Sequence, residues 1–167
     1  MTLILPELVY LSLGSNLGDR AANLHAAIER LAEAGTVQAR SGFYETEPVD
    51  FHDQPWFLNC AVALETGETP RGLLAHALAI EEKMGRRRAR DKGPRIIDID
   101  ILLFGERVID EPGLKIPHPA MHERRFVLEP MAEIAPGATH PTIHKTARQL
   151  LTGLPTGQAV RILRPET

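Results

Sequence analysis

The segment GPRIIDIDILLFG, residues 93–105, sets two aspartates inside a run of Ile, Leu and Phe. An unpaired carboxylate among such side chains is costly to desolvate, so Asp98 and Asp100 need either solvent or a counter-charge. In an extended strand successive side chains alternate between faces, which puts both carboxylates on one face with Cα atoms about 6.5–7 Å apart. Two carboxylates so spaced can share one divalent cation or hold two, and an oxygen-only donor set favours Mg2+ over zinc. A solvated face carrying two solubilising acids reads equally well from this strand alone.

The preceding residues add a second chemical requirement. GRRRARDKGPR, residues 85–95, holds six Lys or Arg against one Asp. A metal-bound polyphosphate needs carboxylates for the metal and guanidinium forks for the phosphate oxygens, and Arg86, Arg88, Arg90, Lys92 and Arg95 stand directly before Asp98 and Asp100. Gly85 and Gly93-Pro94 bound this stretch, as expected of a lid over a ligand. Neither GxxxxGK[ST] nor GxGxxG occurs, so any nucleotide is held without a P-loop or a Rossmann turn. LGSNLG, residues 13–18, reads as a strand-to-helix turn, with an approach of its amides to a ligand as the less favoured reading.

The elements that must position these groups follow from periodicity. Leu8 to Leu13 predicts a first strand. A helix follows, with Asp19 as N-cap and Leu24, Ala27, Ile28 and Leu31 on one face, and Gly35 placed for a left-handed C-terminal residue. Thr36 to Tyr44 predicts a strand, ETEPVDFHDQPW a loop, and FLNCAVALE (57–65) a third strand. Thr69-Pro70 opens a second helix that runs to Gly85, and the aspartate-bearing strand comes after it. The order β-α-β-β-α-β predicts an α+β, ferredoxin-like core in which two helices cover one face of an antiparallel sheet. The remainder holds a hairpin near Val108-Ile109, a helix at Val127 to Ile134 and a weakly helical tail, a C-terminal helical extension. No linker divides residues 1–167, so one domain is expected.

Composition narrows the classes. The chain has 167 residues, 43% hydrophobic and 25% charged, with a net charge of -3, which gives no global reason to expect nucleic acid as partner. No run of eighteen apolar residues and no signal-peptide pattern occurs, so no membrane association and a cytoplasmic location are expected. Cys60, the single cysteine, sits among apolar neighbours and reads as a packing residue.

YLSLGSNLGDR (10–20), FYETEPV (43–49), DQPWFLNCAVALET (53–66), IEEKMGR (80–86), GPRIIDIDILLFG (93–105) and IPHPAMHERRFVLEPMAEIAP (116–136) are blocks found, in the same order, in one family. On them the chain closely resembles the 6-hydroxymethyl-7,8-dihydropterin pyrophosphokinases of folate biosynthesis. The resemblance implies transfer of diphosphate from ATP to the hydroxymethyl oxygen of the reduced pterin, release of AMP, and two Mg2+ ions held by Asp98 and Asp100. It implies a pterin site at Thr46, Glu47, Pro48, Val49, Phe57, Asn59 and Phe126, the two rings enclosing the pterin. It implies nucleotide contacts at Glu81, Arg86, Arg88, Arg95, His118 and Arg124, with Arg86 and Arg95 also clamping the phosphates during transfer. The substrates are then ATP and the reduced pterin, and a monomer is expected. Two other classes remain open at this point. Another Mg2+-dependent transferase would move one phosphoryl or a nucleotidyl group, and a non-catalytic module would bind RNA through the basic stretch.

Overall fold

The computed structural model describes residues 5–47, 55–85, 95–155 and 160–163. Strand β1 (Glu7–Ser15) lies between β5 (Asp98–Phe104) and β4 (Phe57–Thr66), antiparallel to both. The far side of β4 is covered in succession by β2 (Thr36–Arg40) and β3 (Phe43–Thr46), and β8 (Val160–Leu163) closes the outer edge of β3. The result is a six-stranded antiparallel sheet with the order β5-β1-β4-β3-β8 and β2 beside β4. A hairpin of β6 (Ile109–Glu111) and β7 (Leu114–Ile116) stands apart from it.

Both expected helices form with their expected caps. In α1 (Arg20–Leu31) the Asp19 side chain accepts the Ala22 N–H, and in α2 (Pro70–Lys83) Thr69 accepts the Gly72 N–H with Pro70 in the first turn. Their apolar stripes, Leu24, Ala27 and Leu31 with Leu73, Ala77 and Ile80, meet Val9, Leu11, Leu13, Leu58, Cys60, Val62 and Leu64 on one face of the sheet. Cys60 is enclosed there, and burial pushes its thiol up to about 12 against a smaller opposing effect of the Arg40 charge.

The opposite face is also covered. After a 3-10 turn (Met121–Glu123), α3 (Arg125–Ile134) and the short α4 (Ala147–Thr152) enclose Ala61, Leu103, Met121, Val127, Met131 and Ala147. The sheet is thus buried between two helical layers rather than one. Because α3 covers only part of its face, the ends of β1, β3, β4 and β5 beyond its first turn carry side chains that are polar or half-buried.

Three sequence expectations are revised. The predicted strand over 36–44 is broken at Ser41-Gly42: the Ser41 hydroxyl takes the Ala61 N–H at 2.9 Å, and the Gly42 N–H turns to the Glu133 carboxylate on α3. Gly35 is not a left-handed helix cap; α1 ends at Ala32 in right-handed geometry. A Cβ at Gly35 would lie 2.3 Å from the Glu65 carbonyl oxygen, so glycine is required there by the close approach of two backbones. The tail is not helical throughout, since VRIL at 160–163 joins the sheet as β8, in keeping with its β-branched residues.

Gly35→Ala is expected to force β4 and the α1–β2 turn apart and to lower stability by about 1–3 kcal/mol. A urea titration followed by far-ultraviolet circular dichroism measures it.

Candidate active site

The register of the sheet assembles the site. Asp98 pairs with Gly14, Gly14 with Asn59, and Asn59 with Tyr44, so one row crosses β5, β1, β4 and β3. Directly paired residues of antiparallel strands present their side chains on the same face. Tyr44 fixes which face, since its hydroxyl donates to Glu133 of α3 at 2.6 Å. The next row holds Asp100 opposite Ser12 and Ser12 opposite Ala61. Asp98 and Asn59 are two strands apart, about 10 Å, with only the Gly14 backbone between them.

On the β4 side the chemistry is that of a buried amide. Asn59 is 3% exposed, and its Nδ2 donates to the Thr46 hydroxyl at 2.6 Å. Thr46 is itself buried and pairs with Phe57 across β3 and β4. Phe57 is half-buried on the same face as Asn59, and Glu47, also half-buried, follows Thr46. A Cβ at Gly14 would lie 2.6 Å from the Asn59 Oδ1 and 3.5 Å from the Phe57 ring. The amide therefore rests directly on the β1 backbone, and any side chain at position 14 would displace it.

On the β5 side the carboxylates meet a fixed cation. Asp98 and Asp100 are half-exposed while Ile99 and Ile101 between and beyond them are buried, which confirms the shared face. Arg95 Nη1 lies 3.5 Å from the Asp98 Oδ1, and the Arg95 side chain is only 10% exposed. Asn16 holds the Arg95 backbone from both sides: its Oδ1 accepts the Arg95 N–H at 2.7 Å, and its own N–H donates to the Arg95 carbonyl at 3.0 Å. Its Nδ2 reaches the Pro55 carbonyl at 3.2 Å. Glu81 is 3% exposed, and its Oε2 accepts the Ile99 N–H at 2.7 Å, pinning the backbone between the two aspartates to α2.

The third wall comes from the segment before α3. The His118 N–H donates to the Leu102 carbonyl, so the histidine is anchored to β5. Burial, and next the Arg124 guanidinium, push the His118 pKa down to about 4, against a smaller opposing pull from the Asp98 carboxylate. Arg124 and Asp98 therefore both lie within electrostatic reach of His118. The His118 Nδ1 accepts the Ala120 N–H at 3.1 Å, which leaves the proton of the neutral ring on Nε2. The Arg124 guanidinium sits 5.5 Å from the centre of the half-buried Phe126 ring in the first turn of α3.

Thr46, Glu47, Phe57, Asn59, Glu81, Arg95, Asp98, Asp100, His118, Arg124 and Phe126 thus gather around one end of the sheet. Pro48, Val49, Arg86 and Arg88 lie outside the described residues. Sequence reasoning missed Gly14 and Asn16, having read LGSNLG as a turn. The signal was a polar amide at the end of an apolar strand, which has to find partners if it is buried.

The chain that carries this geometry, a buried amide and an acid-and-arginine edge on one sheet face, is similar to proteins of known activity. Residues 10–136 match the family described as 7,8-dihydro-6-hydroxymethylpterin-pyrophosphokinase (HPPK). A 2-amino-4-hydroxy-6-hydroxymethyldihydropteridine pyrophosphokinase from Methylorubrum extorquens is 50% identical over 129 residues, covering 76% of this chain and 82% of the relative. Its namesake from Bacillus subtilis is 46% identical over 130 residues, covering 77% and 78%. The folic acid synthesis protein FOL1 of Dictyostelium discoideum is 40% identical over 159 residues, 95% of this chain, which spans only 24% of that longer protein. Among solved structures, Plasmodium falciparum HPPK-DHPS aligns with a TM-score of 0.72 at 20% identity, over 88% of this chain and 44% of that one, which supports the fold. The class these matches define is a pyrophosphokinase, an α+β enzyme that moves a diphosphate group. The chain belongs to the 7,8-dihydro-6-hydroxymethylpterin-pyrophosphokinase family.

A histidine whose folded pKa lies at about 4, below the unfolded value near 6.5, takes up a proton more readily in the unfolded chain. Its contribution to stability is fully present above about pH 6.5, falls as the pH drops and levels off near 4. His140, whose pKa burial also lowers, acts in the same direction. His118→Gln is expected to lose less stability than the wild type between pH 7 and pH 4.5, read as the difference in urea midpoints.

Proposed function

We propose that this chain transfers a diphosphate group from ATP to the hydroxymethyl oxygen of 6-hydroxymethyl-7,8-dihydropterin and releases AMP. The observation that carries the reading is the row Asn59, Gly14, Asp98, which places an amide able to donate and accept about 10 Å from a carboxylate, over a floor without side chains. A planar two-ring ligand held at Asn59 can extend across Gly14 so that its substituent ends above Asp98. Thr46 and Glu47 line the outer edge of this ring site, Phe57 and Phe126 enclose its faces, and Pro48 and Val49 are assigned to the pterin by the family resemblance alone.

In the transfer, a bond forms between the hydroxymethyl oxygen and the β-phosphorus. The bond from that phosphorus to its bridging oxygen breaks, and the oxygen leaves with AMP. Arg95, stiffened by Asn16, and Arg86 hold the phosphates in line and meet the charge that moves toward the leaving oxygen. Arg88, Arg124 and His118 complete the nucleotide side, His118 as a neutral donor through Nε2, and Glu81 holds the strand that carries the aspartates. We assign uptake of the hydroxyl proton to Asp100 or Asp98, the acidic side chains on that face.

The same two carboxylates fit Mg2+. They are oxygen donors on one half-exposed face, and no third His, Cys, Asp or Glu converges with them among the described residues. That leaves coordination positions for phosphate oxygens and water, as Mg2+ usually requires. Two bound Mg2+ ions would supply the charge neutralisation that lets a triphosphate approach an acidic edge. The order β5-β1-β4-β3 with α1 and α2 on one face supports a ferredoxin-like core with a C-terminal extension, working as one domain over residues 1–167.

Incubation with ATP, Mg2+ and the reduced pterin, followed by chromatographic separation of AMP from ADP, tests the reading. Pterin-dependent AMP is expected; ADP would identify a monophosphoryl kinase on the same fold. Asp98→Ala and Asp100→Ala are each expected to abolish turnover with an unchanged melting temperature, and near-normal rates in either would sink the assignment. Gly14→Ala is expected to raise the KM for pterin at least tenfold, about 1.4 kcal/mol or more, by displacing the Asn59 amide.

A further inference from the structure

The reverse side of the sheet, behind the proposed pterin site, carries a cluster that the transfer itself does not use. Glu45 and Trp56 directly precede Thr46 and Phe57 in the chain. Because side chains alternate along a strand, Glu45 faces the α1 layer while Thr46 faces the α3 layer. There the Arg20 Nη2 donates to the Glu45 Oε2 at 3.1 Å, and the Arg20 Nη1 donates to the Trp56 carbonyl at 2.9 Å. Arg161 of β8 completes the cluster. It is paired in register with Glu45, its Nε lies 3.7 Å from the Glu45 Oε1, and its guanidinium stacks 4.4 Å from the centre of the Trp56 ring. Val160, its neighbour, pairs in register with Thr46.

We infer that Arg161, acting through Glu45 and Trp56, is a positioning residue for the pterin half of the site. The inference rests on the proposed function and deepens it. Thr46 and Phe57 are opposite each other in the β3–β4 ladder and share the face of the proposed pterin site. What keeps the ends of those two strands together is read on the other face. Arg20 binds both strands, to β3 through Glu45 and to the start of β4 through the Trp56 carbonyl. Arg161 binds the same pair a second time, through the other oxygen of Glu45 and through the indole. Glu45 is 19% exposed and Arg20 27%, so this pair is less screened than a surface one. Arg161 is 66% exposed, and its removal leaves the packed core untouched. Loss of the Arg161 contacts therefore loosens the separation of Thr46 and Phe57, on which the ring site depends, but not β5, which carries Asp98 and Asp100 at the far side of β1.

The test is a comparison of the wild type with Arg161→Ala and Arg161→Lys under the AMP assay, with melting temperatures measured in parallel. Arg161→Ala is expected to raise the KM for the pterin about three- to tenfold, the scale of a stacked cation and a partly exposed ion pair. The KM for ATP should stay within twofold, and Arg161→Lys should fall between the two proteins. Trp56 is the only tryptophan of the chain, so its emission reports the stack directly, and it should shift to the red in Arg161→Ala as water reaches the ring. A pterin KM within twofold of wild type, an equal rise for both substrates, or an unshifted emission overturns the inference while the assay still supports the proposed function. A wild type that makes no pterin-dependent AMP overturns the functional reading itself, and the positioning role with it.

Discussion

The buried amide of Asn59 is the constraint around which the rest of the site is arranged. A primary amide 3% exposed in the middle of an apolar strand must have its polar atoms occupied. Thr46 takes Nδ2, and the amide oxygen lies against the β1 backbone where only Gly14 leaves room. Those two requirements dictate the end of β3, the residue type at position 14 and the closeness of β1 to β4. With β1 so placed, its other neighbour β5 brings Asp98 into the same row.

Division of labour between the two faces of the sheet follows from the covering helices. The α1 and α2 face is filled by aliphatic side chains from α1, α2, β1, β4 and β5, where stability resides. The α3 face has a smaller apolar cluster and leaves its far end to polar groups. Glu81 and Arg20 are the links between the layers. Each reaches from a helix of the stabilising layer to the backbone or side chain of a strand that carries the site. Their three hydrogen bonds join residues 18, 25 and 36 apart in sequence.

Much of this was legible in the sequence where the signal is local. The helix caps at Asp19 and Thr69, the i, i+2 sharing of a face by Asp98 and Asp100, and the need of Asn59 for a partner all depend on neighbours within a few residues or on the chemistry of one side chain. Phe57 and Phe126 follow the pattern of core residues, and only the structure shows them half-buried beside polar groups. What could not be read is long-range. The break at Ser41-Gly42 depends on Ala61 and Glu133, the need for Gly35 on the Glu65 carbonyl, and the role of Asn16 on Arg95 and Pro55. No periodicity encodes such contacts, because they arise only when the sheet order is set.

The position of Cys60 has a practical side. Its thiol lies under α1 and α2 at the centre of β4, and with its pKa near 12 it holds almost no thiolate at neutral pH. Enclosure and a thiol held in its protonated form both slow reaction of the folded chain with thiol-directed reagents and oxidants. A cysteine introduced elsewhere on its surface would be the single attachment point for a probe, without any need to remove the native one.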